Sequence, residues 1–261
     1  MIGKEQKSKL MKKLKDLNIM KLSFSKIKTY LECPLKYYFI YILNLKPKPK
    51  SYLSFGKTIH LTLSEFHKLP PYPSFNDLKN IYQEKWISEG FPDKEQEENE
   101  FKKGLLLLKK YYAKNIFNYN KAFMVETEVN FKIKDILVTG FIDRIDKYNN
   151  EYEIIEYKTG KNSTDYNSIG LVDESNLLQM SIYYLAFKYQ FKKNPKNMLI
   201  YYLSLDKDEK IPISFNNKIL KETIKIILYV YKNILDNNFY KKENEFCRYC
   251  DFIKECKEWK R

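Results

Sequence analysis

The stretch Gly140–Lys161, GFIDRIDKYNNEYEIIEYKTGK, predicts two β-strands joined by a tight turn. Phe141–Asp146 carries acidic residues within a strand-like pattern, and Tyr152–Tyr157 is rich in β-branched and aromatic residues. Between these runs, Asn149-Asn150 tolerates positive φ and suits a two-residue hairpin turn. The segment is therefore predicted to form a β-hairpin at the centre of the fold.

The turn fixes the register of this hairpin. With a two-residue loop, Tyr148 faces Glu151, and counting outward from that pair places Asp143 opposite Glu156. Directly opposed residues have Cβ atoms roughly 4.5–5.5 Å apart, so the two carboxylates repel each other unless a divalent cation lies between them. Lys158 follows Glu156 by two residues and shares its face of the strand. A three-residue loop would reverse the register and separate these groups.

Two carboxylates and an amine on one face suit metal-assisted cleavage of a phosphodiester. The carboxylates would hold Mg²⁺ or Mn²⁺, and the Lys158 ammonium would stabilise developing phosphate charge or orient the attacking water. A surface hairpin with an ordinary ladder of charges accounts for the same residues equally well. The hairpin alone leaves both interpretations open.

The composition favours a soluble, cytoplasmic protein with an acidic partner. The 261 residues contain neither a run of about 18 apolar residues nor the apolar core of a signal peptide. The formal net charge of +14 points to nucleic acid, although an AT-rich genome would also enrich Lys, Asn, Ile and Tyr together. Most basic residues are lysines, which contact phosphate as point charges, so sequence-independent backbone binding is favoured over base reading.

Hydrophobic periodicity predicts helices and strands along most of the chain. Residues 1–21 are expected to form a basic lead-in, and residues 22–261 one domain with a helical insertion at about 69–120. Ser25 is the predicted N-cap of a first helix that ends at Cys33-Pro34, because proline disfavours helix in the residue before it. Further helices are expected over 53–66, 74–89, 95–118, 173–191 and 219–235, and strands over 123–133, 197–205 and 211–215.

Of the two histidines, His60 has the pattern that suggests a site. Polar residues lie one turn to either side of His60 on its predicted helix, so its face is expected to border a cleft, although a lone helical histidine is more often structural. His67 precedes a proline-rich loop and is predicted to be a surface residue. Glu126 and Glu128 share one face of a strand, where reaching a metal is open but a solvated edge is favoured.

Gln179 and Tyr183 are four residues apart on a predicted helix and therefore lie on one face. Both side chains offer hydrogen bonds to a phosphate group. A polar flank of the helix explains the same pair equally well.

The four cysteines suggest a second metal centre. Three of them form C-x2-C-x5-C, and the fourth lies more than two hundred residues upstream; they are Cys33, Cys247, Cys250 and Cys256. In a reducing cytosol such a set is more often a metal site than a pair of disulfides. Four thiolates suit Zn²⁺ or a [4Fe–4S] cluster, with the spacing alone slightly favouring zinc, and four unrelated buried thiols remain an alternative. A metal there would join the N-terminal helix to the C-terminal segment.

Five motifs occur in an order that resembles a known family. They are the opening Phe24–Tyr38, the histidine motif Phe55–His60, GxxDRxD at Gly140–Asp146, (D/E)xK in Glu156–Gly160, and QxxxY at Gln179–Tyr183. Together with the cysteines they resemble the RecB-like branch of the PD-(D/E)XK nuclease superfamily. The pattern is similar to the iron–sulfur nuclease domain of AddB-type helicase–nucleases and to small CRISPR-associated RecB-like nucleases.

The resemblance implies an α/β, restriction-endonuclease-like fold, with a central mixed sheet flanked by helices. It implies that Lys158 is the catalytic amine and that Gln179 and Tyr183 position DNA. The implied ligands of Mg²⁺ or Mn²⁺ are His60, Asp143, Glu156 and the main-chain carbonyl of Tyr157. Glu156 stands where aspartate is commoner in this branch, which lengthens that ligand by one methylene.

The resemblance also favours a [4Fe–4S] cluster over zinc at the cysteines. The implied function is a metal-dependent DNA exonuclease acting on single strands in DNA repair or recombination. Two alternatives are a CRISPR adaptation nuclease that trims spacer precursors and a catalytically inactive DNA-binding scaffold. No GxxxxGK[ST] motif occurs, so a helicase partner would be a separate chain.

Overall fold

Six strands pair into one mixed sheet within residues 20–159 and 173–259, the parts of the chain that the computed structural model describes. The order is β1-β3-β4-β5-β6, with β2 on β3, and the pairs β1–β3 and β4–β5 are parallel. The strands are β1 Met20–Ser23, β2 Met124–Ile133, β3 Ile136–Tyr148, β4 Glu151–Thr159, β5 Asn197–Leu203 and β6 Glu209–Pro212.

Helices cover both faces of this sheet. Their bounds are α1 Phe24–Glu32, α2 Pro34–Tyr37, α3 Ser51–Phe66, α4 Phe75–Lys85, α5 Lys94–Asn115, α6 Glu174–Phe191, α7 Asn217–Leu235 and α8 Ile253–Glu258. A π-helical turn spans Tyr38–Ile42, and 3₁₀ turns span Ile116–Asn118 and Glu245–Tyr249. The predicted fold class, an α/β protein with a mixed central sheet between helices, is confirmed.

Alternation along the central strands separates two hydrophobic cores. Ile154 and Ile200 pack into the larger core with residues of α1, α6 and α7, whereas Ile155 and Tyr201 pack into a smaller core with residues of α3, α4 and α5. Successive side chains of a strand point to opposite faces, so one sheet supports both helical layers. Helices α4 and α5 complete the smaller core.

The hairpin of β3 and β4 has the predicted register. Asn149 and Asn150 have φ values of 47° and 68°, as a two-residue turn requires, and Tyr148 pairs with Glu151. The ladder runs to the pair Arg144–Ile155 and stops there. On the same edge of β3, β1 pairs only as far as Thr139. Residues 140–143 are therefore left between two partner strands, and the functional side chains lie at this gap.

The start of α1 differs from the prediction. Ser23, not Ser25, is the N-cap, and its side chain accepts the amide of Lys26 at 3.4 Å. Because β1 extends to Ser23, the helix begins at the next residue, and Ser25 falls in its first turn. Lys21, assigned to the basic lead-in, also lies in β1; residues 1–19 of that lead-in lie outside the described part of the chain.

The predicted domain organisation, including the helical insertion at about 69–120, stays a prediction. Residues 160–172, including Gly160 of the fourth motif, are outside the described ranges. Within those ranges, no helix combines the length and the apolar character needed to cross a membrane.

Candidate active site

Asp143 lies where the ladder between β3 and β4 ends. Its Oδ2 accepts the amide N–H of Tyr157 at 2.7 Å, so the carboxylate takes the place of strand pairing at this point. Its Oδ1 lies 3.1 Å from Nδ1 of His60, which projects from α3. The structure therefore places His60, the predicted helical histidine, in contact with Asp143, the predicted metal-binding carboxylate.

Glu156 lies one position past the last pair of the ladder and is hydrogen-bonded by Lys158 and Gln179. Its Oε1 accepts hydrogen bonds from Lys158 Nζ at 2.7 Å and from Gln179 Nε2 at 2.6 Å. Lys158 Nζ also donates to Gln179 Oε1 at 2.7 Å, which closes a triangle of three side chains. The other carboxylate oxygen, Oε2, is buried and has no hydrogen-bond partner in the described residues.

Tyr183 joins the cluster through α6. Its hydroxyl accepts a hydrogen bond from Gln179 Nε2 at 2.9 Å, so the QxxxY pair lies on the face that the spacing predicted. The Tyr183 ring rests against Gly140, where a Cβ would lie 2.7 Å from its Cε1 atom. The glycine of the GxxDRxD motif thus allows α6 to approach β3 closely enough for Gln179 to reach Glu156.

The two carboxylates differ in their tendency to ionise. Burial, and then the charge of Asp143, raise the pKa of Glu156 to about 7. Burial also opposes ionisation of Asp143, but His60 and the Tyr157 amide outweigh it and lower the pKa of that carboxyl. In turn, Asp143 overcomes the effect of burial on His60 and raises the pKa of its imidazole to about 9. Without a cation, Glu156 therefore binds a proton more readily than an ordinary glutamate, which reduces the repulsion between the two carboxylates.

Glu126 also reaches this cluster, and the favoured assignment to a solvated edge was incomplete. The side chain is exposed, yet ligand atoms of Glu126, His60 and Asp143 all lie within 4.8 Å of one another. A signal for this position exists in the sequence. Lys134-Asp135 forms a second two-residue turn, since Ile133 pairs with Ile136, and counting from it places Glu126 opposite Asp143.

A sequence profile of the PD-(D/E)XK nuclease superfamily matches residues 21–257. The chain belongs to this superfamily. Its fold is similar to the crystal structure of a candidate exonuclease from Eubacterium rectale, with a TM-score of 0.59 and 10% identity over 100% of this chain and 94% of that one. A second structure, of SSO0001, has a TM-score of 0.41 and 14% identity over 96% of this chain and 95% of that chain. No curated protein matches the chain.

The donor atoms of this PD-(D/E)XK nuclease fit a divalent cation. His60, Glu126 and Asp143 offer one nitrogen and two carboxylate ligands in one small volume. The buried Oε2 of Glu156 has no partner in the described residues and is a further acceptor that a cation would satisfy. A set dominated by oxygen ligands suits Mg²⁺ or Mn²⁺.

A cleft of about 900 Å³ opens over these residues. His60, Glu126 and Asp143 line one part of it, and Thr159 at the end of β4 lines another. Residues of α3, of α5 and of the end of β5 with its following loop form the rest of the lining, which includes the apolar side chains of Tyr52, Leu53 and Leu205. The cleft gives a substrate access to the carboxylates.

His67 is not a surface residue, contrary to the prediction. It is 2% exposed, and its Nε2 lies 2.8 Å from Arg144 Nη1 and 2.7 Å from the Tyr111 hydroxyl. Burial and the Arg144 charge hold the pKa of His67 well below its usual range, so the imidazole is neutral and accepts a hydrogen bond. Its partners come from α5 and β3, which its position beside a proline-rich loop did not indicate.

Arg144 completes a second polar cluster directly behind the first. Its Nε and Nη2 donate to the two oxygens of Asp146 at 2.7 and 2.6 Å. Its Nη1 also faces the hydroxyls of Tyr111 and Tyr157 at 3.4 and 3.3 Å. The main chain of Tyr157 therefore contacts Asp143 while its side chain contacts Arg144.

The cysteines converge on one cavity of about 370 Å³. Cys33 follows α1, and the C-terminal segment supplies Cys247, Cys250 and Cys256. None forms a disulfide, and burial raises the pKa of the Cys256 thiol, with smaller contributions from its neighbours including the other three thiols. Lysines also line the cavity and would offset thiolate charge; they are Lys36, Lys241, Lys242 and Lys257. The cavity therefore brings together four thiols that are far apart in the sequence.

Proposed function

We propose that this nuclease is a metal-dependent deoxyribonuclease that removes nucleotides from single-stranded DNA in repair or recombination. The observation that carries the proposal is the contact of the Lys158 amine with Glu156, beside the carboxylate of Asp143. At a metal site held by two acids, an adjacent amine can stabilise the negative charge that develops on a phosphate. Membership of the superfamily supports nuclease chemistry, and the net charge of +14 supports an anionic polymer as substrate.

The residues have distinct proposed roles. His60, Asp143, Glu156 and the Tyr157 carbonyl would hold Mg²⁺ or Mn²⁺, and the position of Glu126 adds it as a further acidic ligand. The bound ion would supply Lewis acidity and a water of lowered pKa. Asp143 is oriented for this role by the Tyr157 amide, which fixes one of its oxygens and leaves the other toward His60.

Lys158 is the proposed catalytic amine. Its Nζ is shared between Glu156 Oε1 and Gln179 Oε1, so its position is fixed before substrate arrives. From there the ammonium would stabilise the negative charge that develops on the phosphate or orient the attacking water. Gln179 and Tyr183 would position the DNA strand, and their mutual hydrogen bond supports a common role.

We further propose that the four cysteines hold a [4Fe–4S] cluster, as in the RecB-like branch. Their convergence on one cavity supports a shared centre. Four thiolates also suit a single Zn²⁺, which is the alternative at this site.

The activity is tested with end-labelled single-stranded DNA and Mn²⁺. We expect the wild type to release nucleotides, and Lys158→Ala to reduce the rate by about 10²- to 10³-fold, the range for loss of one electrostatic contact in a transition state. Lys196→Ala is the matched control, because Lys196 is exposed and pairs with Glu151 at the far end of the hairpin. Equal activity of wild type and Lys158→Ala would remove the assignment, and a wild type that binds DNA without cleaving it would favour a scaffold.

The cysteine centre is tested by purification without oxygen. We expect brown protein with visible charge-transfer absorbance and about four iron atoms per chain. Colourless protein with stoichiometric zinc would contradict the iron–sulfur assignment. Cys250→Ala is expected to destabilise the fold and weaken DNA binding, although the carboxylates lie elsewhere.

A further inference from the structure

We propose that Tyr52, in the first turn of α3, is a stacking platform for an unpaired base of the DNA strand. The inference rests on the proposed function and adds a substrate contact to the same cleft. It predicts where the strand lies relative to the carboxylates and why an unstacked strand is preferred.

The cleft that contains the carboxylates has an exposed apolar wall. Tyr52 is 66% exposed and Leu53 is 58% exposed, and both line the cleft together with Leu205 from the loop after β5. No hydrogen bond or ring contact of Tyr52 occurs within the described residues, so neither its hydroxyl nor its ring is committed to the fold. An exposed aromatic wall joined to an acidic metal-binding site indicates a ligand with both a flat apolar part and a phosphate.

The geometry of α3 places this wall along the path of a strand. His60 follows Tyr52 by eight positions, which is roughly 12 Å along a helix axis. Both side chains line the same cleft. Bases of a duplex already stack on each other, whereas a base of a single strand has a free face for an aromatic ring. The wall therefore fits a single strand whose phosphate lies at Asp143 and whose neighbouring base lies at Tyr52.

A cation without a partner in the described residues lines the same cleft. Lys57 lines the cleft, is exposed, and has no hydrogen bond or ion pair with any described residue. By contrast, the amine of Lys103, on the same cleft, contacts the Glu100 carboxylate at 3.1 Å. Lys57 is therefore available to contact a phosphate between the stacked base and the reacting one, which is the combination typical of single-strand binding.

The segment that carries the cysteines extends the same surface. Lys50, the N-cap of α3, donates to the Tyr249 carbonyl at 3.1 Å and pairs with Asp251 at 3.5 Å. Tyr249 is 64% exposed, and the Arg248 guanidinium lies 4.8 Å from its ring centroid. Exposed aromatic and basic residues thus continue beyond Tyr52, away from the carboxylates, and would contact a longer strand.

The first test compares variants of Tyr52 on a short single-stranded oligonucleotide. We expect Tyr52→Ala to lower kcat/KM by roughly 5- to 100-fold, the range for loss of one base–aromatic stack, and Tyr52→Phe to retain most of the activity because the ring is kept. Phe117→Ala is the control, since Phe117 is 90% exposed and lies outside the cleft. Wild-type activity of Tyr52→Ala would overturn the proposal without affecting the proposed function.

The second test identifies the stacked base. A series of substrates carries one abasic sugar at successive positions from the cleaved bond. At one position we expect the missing base to lower kcat/KM of the wild type about as much as the Tyr52→Ala substitution does. At that same position the missing base should not lower kcat/KM of Tyr52→Ala any further. Losses that simply add at every position would show that Tyr52 does not contact a base.

Binding gives a readout that does not depend on cleavage. An oligonucleotide with the fluorescent base 2-aminopurine at that position should be quenched by the wild type and by Tyr52→Phe, and several-fold less by Tyr52→Ala. If the wild type quenches the probe but never cleaves DNA, the proposed function fails while the platform stands. Unchanged quenching in Tyr52→Ala would overturn the platform whatever the activity.

Discussion

Two polar clusters share the strands β3 and β4 but differ in how their charged groups are paired. The carboxylate cluster consists of His60, Glu126, Asp143, Glu156, Lys158 and Gln179, and the arginine cluster consists of His67, Tyr111, Arg144, Asp146 and Tyr157. Adjacent residues of one strand, Asp143 and Arg144, belong to different clusters. Each cluster takes one histidine from the C-terminal half of α3 or its end.

The difference lies in how completely each cluster satisfies its own charges. Every nitrogen of Arg144 has a partner, and Asp146 receives two hydrogen bonds from it. In the carboxylate cluster, one buried oxygen of Glu156 has no partner among the described residues, and Asp143 raises the pKa of its neighbour. The arginine cluster is not fully hydrogen-bonded either, since Nδ1 of the neutral His67 is buried without a partner in the described residues. Its charged groups are nevertheless paired within the fold, whereas the carboxylate cluster leaves an acidic oxygen as a ligand atom for a metal.

The sharpest contrast is expected in activity. Glu156→Gln should reduce metal-dependent release of nucleotides by about 10²- to 10³-fold while leaving metal-free stability unchanged or raised, because it removes repulsion between two acids. Nuclease assays and thermal melts in EDTA measure the two effects on the same preparation. A variant that keeps nearly full activity would show that Glu156 is dispensable for nucleotide release.

The arginine cluster should respond in the opposite way. Arg144→Met leaves Asp146 buried without its partner, so we expect a loss of about 3–5 kcal/mol in the free energy of unfolding, measured with urea. The double variant Arg144→Met, Asp146→Leu removes both charges and should be more stable than the single one. If the double variant is as unstable as the single variant, packing and not charge pairing explains the role of Arg144.

Metal should stabilise the protein through one cluster only. Mn²⁺ at a hundred times its dissociation constant is expected to raise the free energy of unfolding by about 2.7 kcal/mol. Asp143→Asn should lose most of this gain, while Lys196→Ala should keep it. Titration of the melting temperature with Mn²⁺ gives the result, and an equal shift in Asp143→Asn would place the cation elsewhere.

The two clusters should also have opposite dependence on pH. The pKa of His67 is held low in the folded state, so the unfolded chain binds the proton first and stability falls below about pH 6.5, by at most about 1.4 kcal/mol per pH unit. Glu156 acts in reverse: its pKa is raised to about 7, so the folded state takes up a proton as pH falls toward the usual range of glutamate, and stability rises.

Variants separate these contributions. His67→Gln, compared with its parent in a Glu156→Gln background, should abolish a fall in stability between about pH 6.5 and 5. Urea unfolding at a series of pH values, without metal, provides the measurement. A parallel pair of curves would mean that His67 has a similar pKa in the folded and unfolded states.

Local signals explain what the sequence predicted well. The Asn149-Asn150 turn sets the hairpin register through its own backbone preference, so the positions of Asp143, Glu156 and Lys158 follow by counting. The helix of Gln179 and Tyr183 follows from its period. These inferences need only residues close together in the chain.

Contacts between distant elements explain the features that the sequence did not predict. His67 is buried because α5, more than forty residues later, supplies Tyr111, and β3 supplies Arg144. The Lys134-Asp135 turn places Glu126 opposite Asp143 by local counting, but its approach to His60 also needs α3 to pack against the sheet. Ser23 replaces Ser25 as N-cap because β1 pairs with β3, and that pairing decides where the strand gives way to the helix.

The seal between α1 and the C-terminal segment has a consequence for synthesis. The Tyr30 hydroxyl donates to the carbonyl of Asn238, 208 residues later, and Asn244 binds the carbonyl of Glu32 across 212 residues. At about 5–20 residues per second, a ribosome needs roughly 10–40 s to deliver the second half of these contacts. During that interval α1 can pack against β-strands, α6 and α7 but lacks its hydrogen bonds to the C-terminal segment, so a nascent chain stalled before residue 238 is expected to unfold more readily at α1 than the full chain.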